Sequence, residues 1–160
     1  MTEAGKKENM QGVSEPHIRN RMHLTVQSLP ENAAFVRACT AAFAAQTECT
    51  LEELDEIRLA VSEAVSNSII HGYKNDPRAQ VELYITLWAD DGMEIIVADR
   101  GCGIPDVRQA MEPAFSTEPG HMGLGFAFMR SFMDELEVKS RVGEGTTVIL
   151  RRRGHRGHPN

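Results

Sequence analysis

Cysteine is scarce in this chain: Cys39, Cys49 and Cys102 are the only three in 160 residues, and no two form a C-x-x-C pair. An odd number without such spacing excludes a disulfide framework, and the expectation is free thiols in a reducing, cytoplasmic setting. Long apolar runs are missing as well; none approaches the roughly 20 residues that a membrane-crossing helix needs. The first twenty residues, "MTEAGKKENMQGVSEPHIRN", lack the apolar segment of a signal peptide, so no membrane or export role is expected. Excess positive charge is absent too. The formal net charge is −6, which gives no reason to expect a nucleic-acid partner. The exception is the closing "RRRGHRGHPN", which reads as a solvated basic tail.

What is present is an ordinary globular composition, 41% hydrophobic and 25% charged, in a length that suits one domain. Residues 1–20 are polar and aperiodic and read as a disordered tail, 21–152 as the domain, and 153–160 as the basic tail. "RMHLTVQS" alternates like a strand from Arg21. Ser28 with Glu31 offers a capping box for a helix to about Gln46, and Thr50 with Glu53 opens a longer one ending at Gly72. "VELYITLW" and "MEIIVAD" read as a hairpin around "ADDG". A glycine- and proline-punctuated stretch from Arg100 to Gly125 leads into the helix "LGFAFMRSFMDEL", and "EVKSR" and "TTVILRR" close the chain as a second hairpin. Hairpins between helices, without β-α-β alternation, predict an α+β fold. The expected architecture is a two-layer sandwich: a mixed, mostly antiparallel sheet with helices on one face.

The long helix poses the functional question. Leu54, Ile57, Val61, Val65 and Ser68 make one stripe for packing on the sheet. Glu63 and Asn67 stand roughly opposite, one turn apart, flanked by Leu59, Ala60 and Ile70. Such a pair is either a solvated patch with stray apolar neighbours or the lining of a pocket. In the second case Asn67 would offer a carbonyl oxygen to Mg²⁺, and Glu63 would accept a proton from an attacking hydroxyl. His71 continues the row at a helix end, where a structural role is the ordinary reading.

Two glycine loops follow. In "ADRGCGIPD", Asp99 ends a strand, and Gly101 and Gly103 would let a ligand approach the backbone closely. A carboxylate there could accept a hydrogen bond from an exocyclic amino group. The spacing fails for a calcium loop, since the twelfth position holds Ala110, and no helix opens directly from these glycines as a dinucleotide fold requires. "GHMGLGF" sets Gly120, Gly123 and Gly125 before a helix. It is either a flexible turn or a phosphate site at a helix start, and it is not a Walker A loop, since no G-K-[ST] follows.

The ordered set is E-x-x-x-N on a helix, D-x-G-x-G after a strand, G-x-G opening a helix and "GTT" in a last strand. With "ENAAFVRA", "SEAVSNSIIHGY", "ADRGCGIPD", "FMDE" and "GTTV", it resembles the GHKL ATPases, the superfamily of gyrase and the histidine kinases. More narrowly it resembles the bacterial anti-sigma serine kinases of sporulation, over about Arg21 to Arg151. The resemblance implies the GHKL (Bergerat) fold, with Asn67 holding Mg²⁺ and Glu63 as the catalytic base. It further implies that Asp99 binds the adenine of ATP with Gly103 near the ring, Thr146 supports that pocket, and Gly123 and Gly125 hold phosphates under a lid. The segment "FSTEPGHMGLG" (115–125) is short for such a lid and has no Lys or Arg, leaving His121, Arg108 and Arg130 as candidates for the terminal phosphate.

On the first helix the spacing predicts Phe35, Cys39, Ala42 and Phe43 buried, with Ala33, Arg37, Thr40, Ala41 and Ala44 opposite. In the resembled family an arginine at the place of Arg37 contacts both the sigma factor and the antagonist. The implied partners are therefore a sigma factor, an anti-anti-sigma protein with a phosphoacceptor serine, and a second copy in a homodimer. A general-stress anti-sigma kinase and a nucleotide-gated sigma-binding module without kinase activity stand as alternatives.

Overall fold

In the computed structural model, residues 17–113 and 124–154 are described. The chain runs β1 (Ile18–Gln27), α1 (Pro30–Ala44), α2 (Leu51–Asn67), a π-helical turn (Ser68–Gly72), β2 (Gln80–Trp88) and β3 (Met93–Asp99). It continues with α3 (Val107–Ala110), α4 (Gly125–Phe132), β4 (Glu135–Arg141) and β5 (Gly145–Arg152). The strands form one sheet in the order β1-β2-β3-β5-β4. All four pairings among the described residues are antiparallel, so the described sheet is not mixed as expected. Both hairpins fall where the turn residues put them, with Asp91 (φ 64) and Gly143 (φ 81) taking the left-handed conformations.

Strand alternation builds the core. Val81, Leu83, Ile85 and Leu87 of β2 and Met93, Ile95 and Val97 of β3 are buried on one face, against Ile57, Ala60, Val61, Ala64 and Val65 of α2. Each fully buried aliphatic side chain stabilises the fold by about 1.5–3 kcal/mol over leaving it exposed. The stripe expected on α2 is the one that packs. Its Thr50 capping box is also formed, with the Glu53 N–H donating to the Thr50 hydroxyl and the Thr50 N–H to the Glu53 carboxylate.

Other expectations are corrected. The Ser28–Glu31 box does not form: Pro30 starts α1, with its pre-set φ and missing N–H suited to a first helical position. Leu29 becomes the N-cap, and no side chain caps it. The buried face of α1 is Val36, Thr40 and Ala44, whereas Phe35 is 52% exposed and Ala42 is exposed. Small residues let α1 approach α2 closely, so the large ring is left outside. α4 ends at Phe132, four residues early: Met133 is already extended, and Leu136 faces Leu150 from β4. α3, capped by Asp106 accepting from the Gln109 N–H at 3.0 Å, was not anticipated.

The first three arginines of the closing basic stretch are not simply solvated. Arg151 pairs with Glu94, Glu135 and Glu137, Arg152 with Glu53, and Arg153 with Glu135. β5 therefore carries the cations that neutralise the acidic edge formed by β3, β4 and the start of α2.

Candidate functional site

α2 meets two things at its C-terminal half: the loop after β3 and the first turn of α4. Between them lies a cavity of about 920 Å³, within the range of small-molecule sites. Glu63, Asn67, Asp99, Gly103, Gly125 and Thr146 all line it. The polar pair on α2 therefore faces a pocket, and the solvated-patch alternative fails. Gly101 is not on the cavity wall; Gly123 and His121 lie outside the described residues.

Asp99 sits at one end, 7% exposed. Its Oδ1 accepts the Gly101 N–H at 2.9 Å and the Thr146 N–H at 3.2 Å. Burial pushes its pKa up, opposed by those two donors and by the Ser68 hydroxyl. Three donors leave a carboxylate with acceptor capacity for one more. Thr146 is itself held by a 2.8 Å hydroxyl contact with Ser140, whose hydroxyl also accepts the Ile104 N–H at 2.8 Å. That contact ties the last hairpin to the loop after Asp99.

The glycines serve a purpose that the sequence did not disclose. A Cβ on Gly101 would lie 2.2 Å from the Gly72 carbonyl oxygen, and one on Gly103 (φ 74) would lie 2.2 Å from that of Arg141. Their bareness admits the protein's own backbone. Gly72 belongs to the same constraint, since its Cβ would fall 3.0 Å from the Asp99 carboxylate.

At the other end, a Cβ on Gly125 would stand 3.0 Å from Glu63 Oε2 and 3.4 Å from the Asn67 side-chain amide. The bare N-terminus of α4 is thereby brought against the polar pair. A helix start offers unpaired N–H groups and the positive end of a dipole, which suit an anion. Arg108 and Arg130 are exposed and off the wall. Among the described lining residues Lys74 is the one lysine or arginine, held in left-handed backbone at φ 52. Sequence reasoning missed it, because nothing in "GYKND" announces a turn into the cavity.

The arrangement suits a long ligand with an amino-bearing heterocycle at Asp99 and phosphates between α4 and Asn67. The apolar walls include Ile104, Leu124 and Val148. No described group of His, Cys, Asp or Glu forms a metal cluster, so a cation there would rest on Asn67 and on ligand oxygens, as Mg²⁺ sites commonly do.

Arg37 lies well outside this cavity. Following Val36 by one residue, about 100° round the helix, it borders the buried face and is half-exposed, in a row with Ala33 and Ala41. The fully outward face is Ala34, Phe35, Ala38 and Ala42. No described helix is long and apolar enough to cross a membrane.

A family model described as a histidine kinase-like ATPase domain matches residues 26–152. An anti-sigma F factor of Geobacillus kaustophilus is 46% identical over 138 residues, covering 84% of this chain and 93% of the relative. One from Priestia megaterium is 41% identical over 137 residues, with the same coverage of both chains. Among solved structures, the RsbU and RsbW domains of a Mycobacterium tuberculosis protein superpose with a TM-score of 0.62 at 24% identity, over 84% of this chain and 32% of that one. The histidine kinase domain of a blue-light activated kinase from Erythrobacter litoralis gives 0.54 at 19% identity, over 77% and 59%. At that identity these two likenesses speak to the fold alone.

Proposed function

The chain belongs to the anti-sigma F factors within the histidine kinase-like ATPase family, and from that premise we propose that it binds and inhibits a sporulation sigma factor and uses ATP to phosphorylate a serine on its anti-anti-sigma antagonist. The observation that carries the kinase half is the meeting of Glu63, Asn67 and Gly125 at one end of a cavity whose other end is Asp99.

Bound Mg²⁺–ATP supplies the transferable phosphoryl group. Asp99 accepts the hydrogen bond of the adenine amino group, and Thr146, fixed by Ser140, holds that carboxylate in place. The Asn67 side-chain oxygen would hold the Mg²⁺, which would neutralise charge on the phosphates. Gly125 lets the α4 N–H groups reach the phosphates. Glu63, beside them, removes the proton of the incoming serine hydroxyl. Little covalent chemistry falls to the protein in phosphoryl transfer, so positioning and electrostatics do most of the work. The intact Glu63 favours a kinase over a binding module that merely senses nucleotide. Incubation with γ-labelled ATP and the antagonist tests this reading: label on an antagonist serine supports it, and sigma-factor binding without any transfer favours the module.

Asp99 gives a pH signature. Its raised pKa means that its contribution to folding is larger below that pKa and is lost as pH rises through it. Adenosine binding runs the other way, because the anion is the better acceptor. Adenosine affinity should therefore weaken as pH falls from 7.5 through the raised Asp99 value. In Asp99→Asn it should be about tenfold or more weaker at pH 7.5, as loss of a hydrogen bond to a charged group implies, and flat across the same range. Calorimetry with adenosine, which has no phosphate to titrate, reads both. A wild-type affinity that is flat in this window contradicts the assignment.

Arg37 supplies the partner test. It makes no ion pair among the described residues and is half-exposed beside the buried face of α1, and a surface change away from special features usually alters stability by under about 0.5 kcal/mol. As an interface anchor it should matter far more, since truncated arginines commonly cost about 2 kcal/mol or more, or about thirtyfold in affinity. Arg37→Ala should melt and bind ATP like wild type and lose about that much affinity for the sigma factor. Undiminished affinity would remove this helix from the interface.

A further inference from the structure

Asn67 and Asp99 come from different elements, and something must fix the distance between them. We infer that Tyr73 is a positioning residue whose phenolic oxygen sets the spacing between the two ends of the proposed nucleotide site; the inference rests on that reading of the cavity. The Tyr73 hydroxyl donates to the Gln80 carbonyl at 2.6 Å and accepts the Arg100 N–H at 2.7 Å. Gln80 opens β2, and Arg100 directly follows Asp99. A phenol with both capacities used on backbone groups is a fixed joint between three segments. Burial pushes its pKa further up, so the proton needed for donation stays in place at neutral pH.

The chain on the other side of the joint is equally constrained. After Asn67 the helix widens into the π turn, and the Tyr73 N–H returns to the Ser68 carbonyl at 2.9 Å. Such turns are rare and frequently occur at functional sites. Three further bonds run beside the phenol: the Cys102 N–H donates to the Gly72 carbonyl at 2.9 Å, its thiol to the His71 carbonyl at 3.1 Å, and the Ser68 hydroxyl to the Asp99 carboxylate. Tyr73 is the member of this set that binds the residue next to Asp99 through a side chain removable without loss of shape.

A device that sets spacing should matter only to a ligand that spans both ends. ATP acts as two linked fragments, and the gain from linkage depends on whether both subsites can be engaged at once. In Tyr73→Phe, adenosine alone and Mg²⁺–tripolyphosphate alone should bind within about twofold of wild type, while ATP should lose about tenfold, because preorganisation rather than contact is removed. In the transfer assay the loss should fall mainly on KM for ATP. The Arg100 amide should exchange its hydrogen about tenfold faster or more, and the melting temperature should change little.

Equal ATP affinity in variant and wild type, with wild type binding normally, overturns the positioning role and leaves the nucleotide site standing. An equal loss for adenosine, tripolyphosphate and ATP overturns it too, by making the effect one of general structure. A wild-type chain that binds none of the three ligands overturns the nucleotide reading and this inference together.

Discussion

Glu63→Gln should retain ATP and lose the reaction. The substitution keeps the length of the side chain and a hydrogen-bonding end but cannot accept a proton. General bases contribute about 10²–10⁴-fold, so phosphorylation of the antagonist should fall by that factor. Glu63 lines the cavity one turn before Asn67, near the bare start of α4, so the amide should fit without displacing the helix. ATP affinity and melting temperature should stay close to wild type. Transfer assays with saturating ATP, set beside direct binding, separate the two effects. Near-normal transfer would return Glu63 to a structural role.

Asn67→Ala should do the reverse, removing Mg²⁺-dependent ATP binding with the fold intact. Asn67 is half-exposed at the last turn of α2, and its side chain is not among the core residues, so truncation opens the cavity without a hole beneath it. Loss of groups that hydrogen-bond to a metal's ligands commonly costs about 10–100-fold, and loss of a direct ligand should cost at least about 100-fold by the same scale. The diagnostic is metal dependence: weak binding that EDTA no longer changes. ATP affinity in Asn67→Ala that still rises with Mg²⁺ as in wild type would overturn the metal assignment.

The site and the frame were not equally legible in the sequence. α2 could be read because its signals agree: a capping box at Thr50, an apolar period, and Gly72 closing the π turn that follows Asn67. Asp99 could be placed because a strand with clean alternation leads to it. α1 is less legible, because Phe35 weighs heavily in any hydrophobic count yet stays 52% exposed. Its packing is set instead by how near two helices can come, and that favours Thr40 and Ala44. The spacing of Leu136 from Met129 and Phe132 suits a helix, while its strand pairing with Leu150 depends on a residue fourteen positions away. The glycines of "DRGCG" suggest room for a ligand, yet backbone from Gly72 and Arg141 already occupies the space where their side chains would be, and only Gly103 of the two lines the cavity. The Tyr73 joint joins positions 73, 80 and 100, and no local pattern links them. What escaped the sequence is long-range contact, and what it showed is local period and chemistry.

Titration of the whole chain with Mg²⁺–ATP and with Mg²⁺–GTP tests the central claim, that the cavity between α2, the Asp99 loop and α4 is an ATP site. One ATP should bind per chain, with affinity that falls when Mg²⁺ is removed and is much weaker for GTP, which carries a carbonyl where adenine presents its amino group to Asp99. Saturable binding of neither nucleotide, or equal binding of both with and without Mg²⁺, would contradict it.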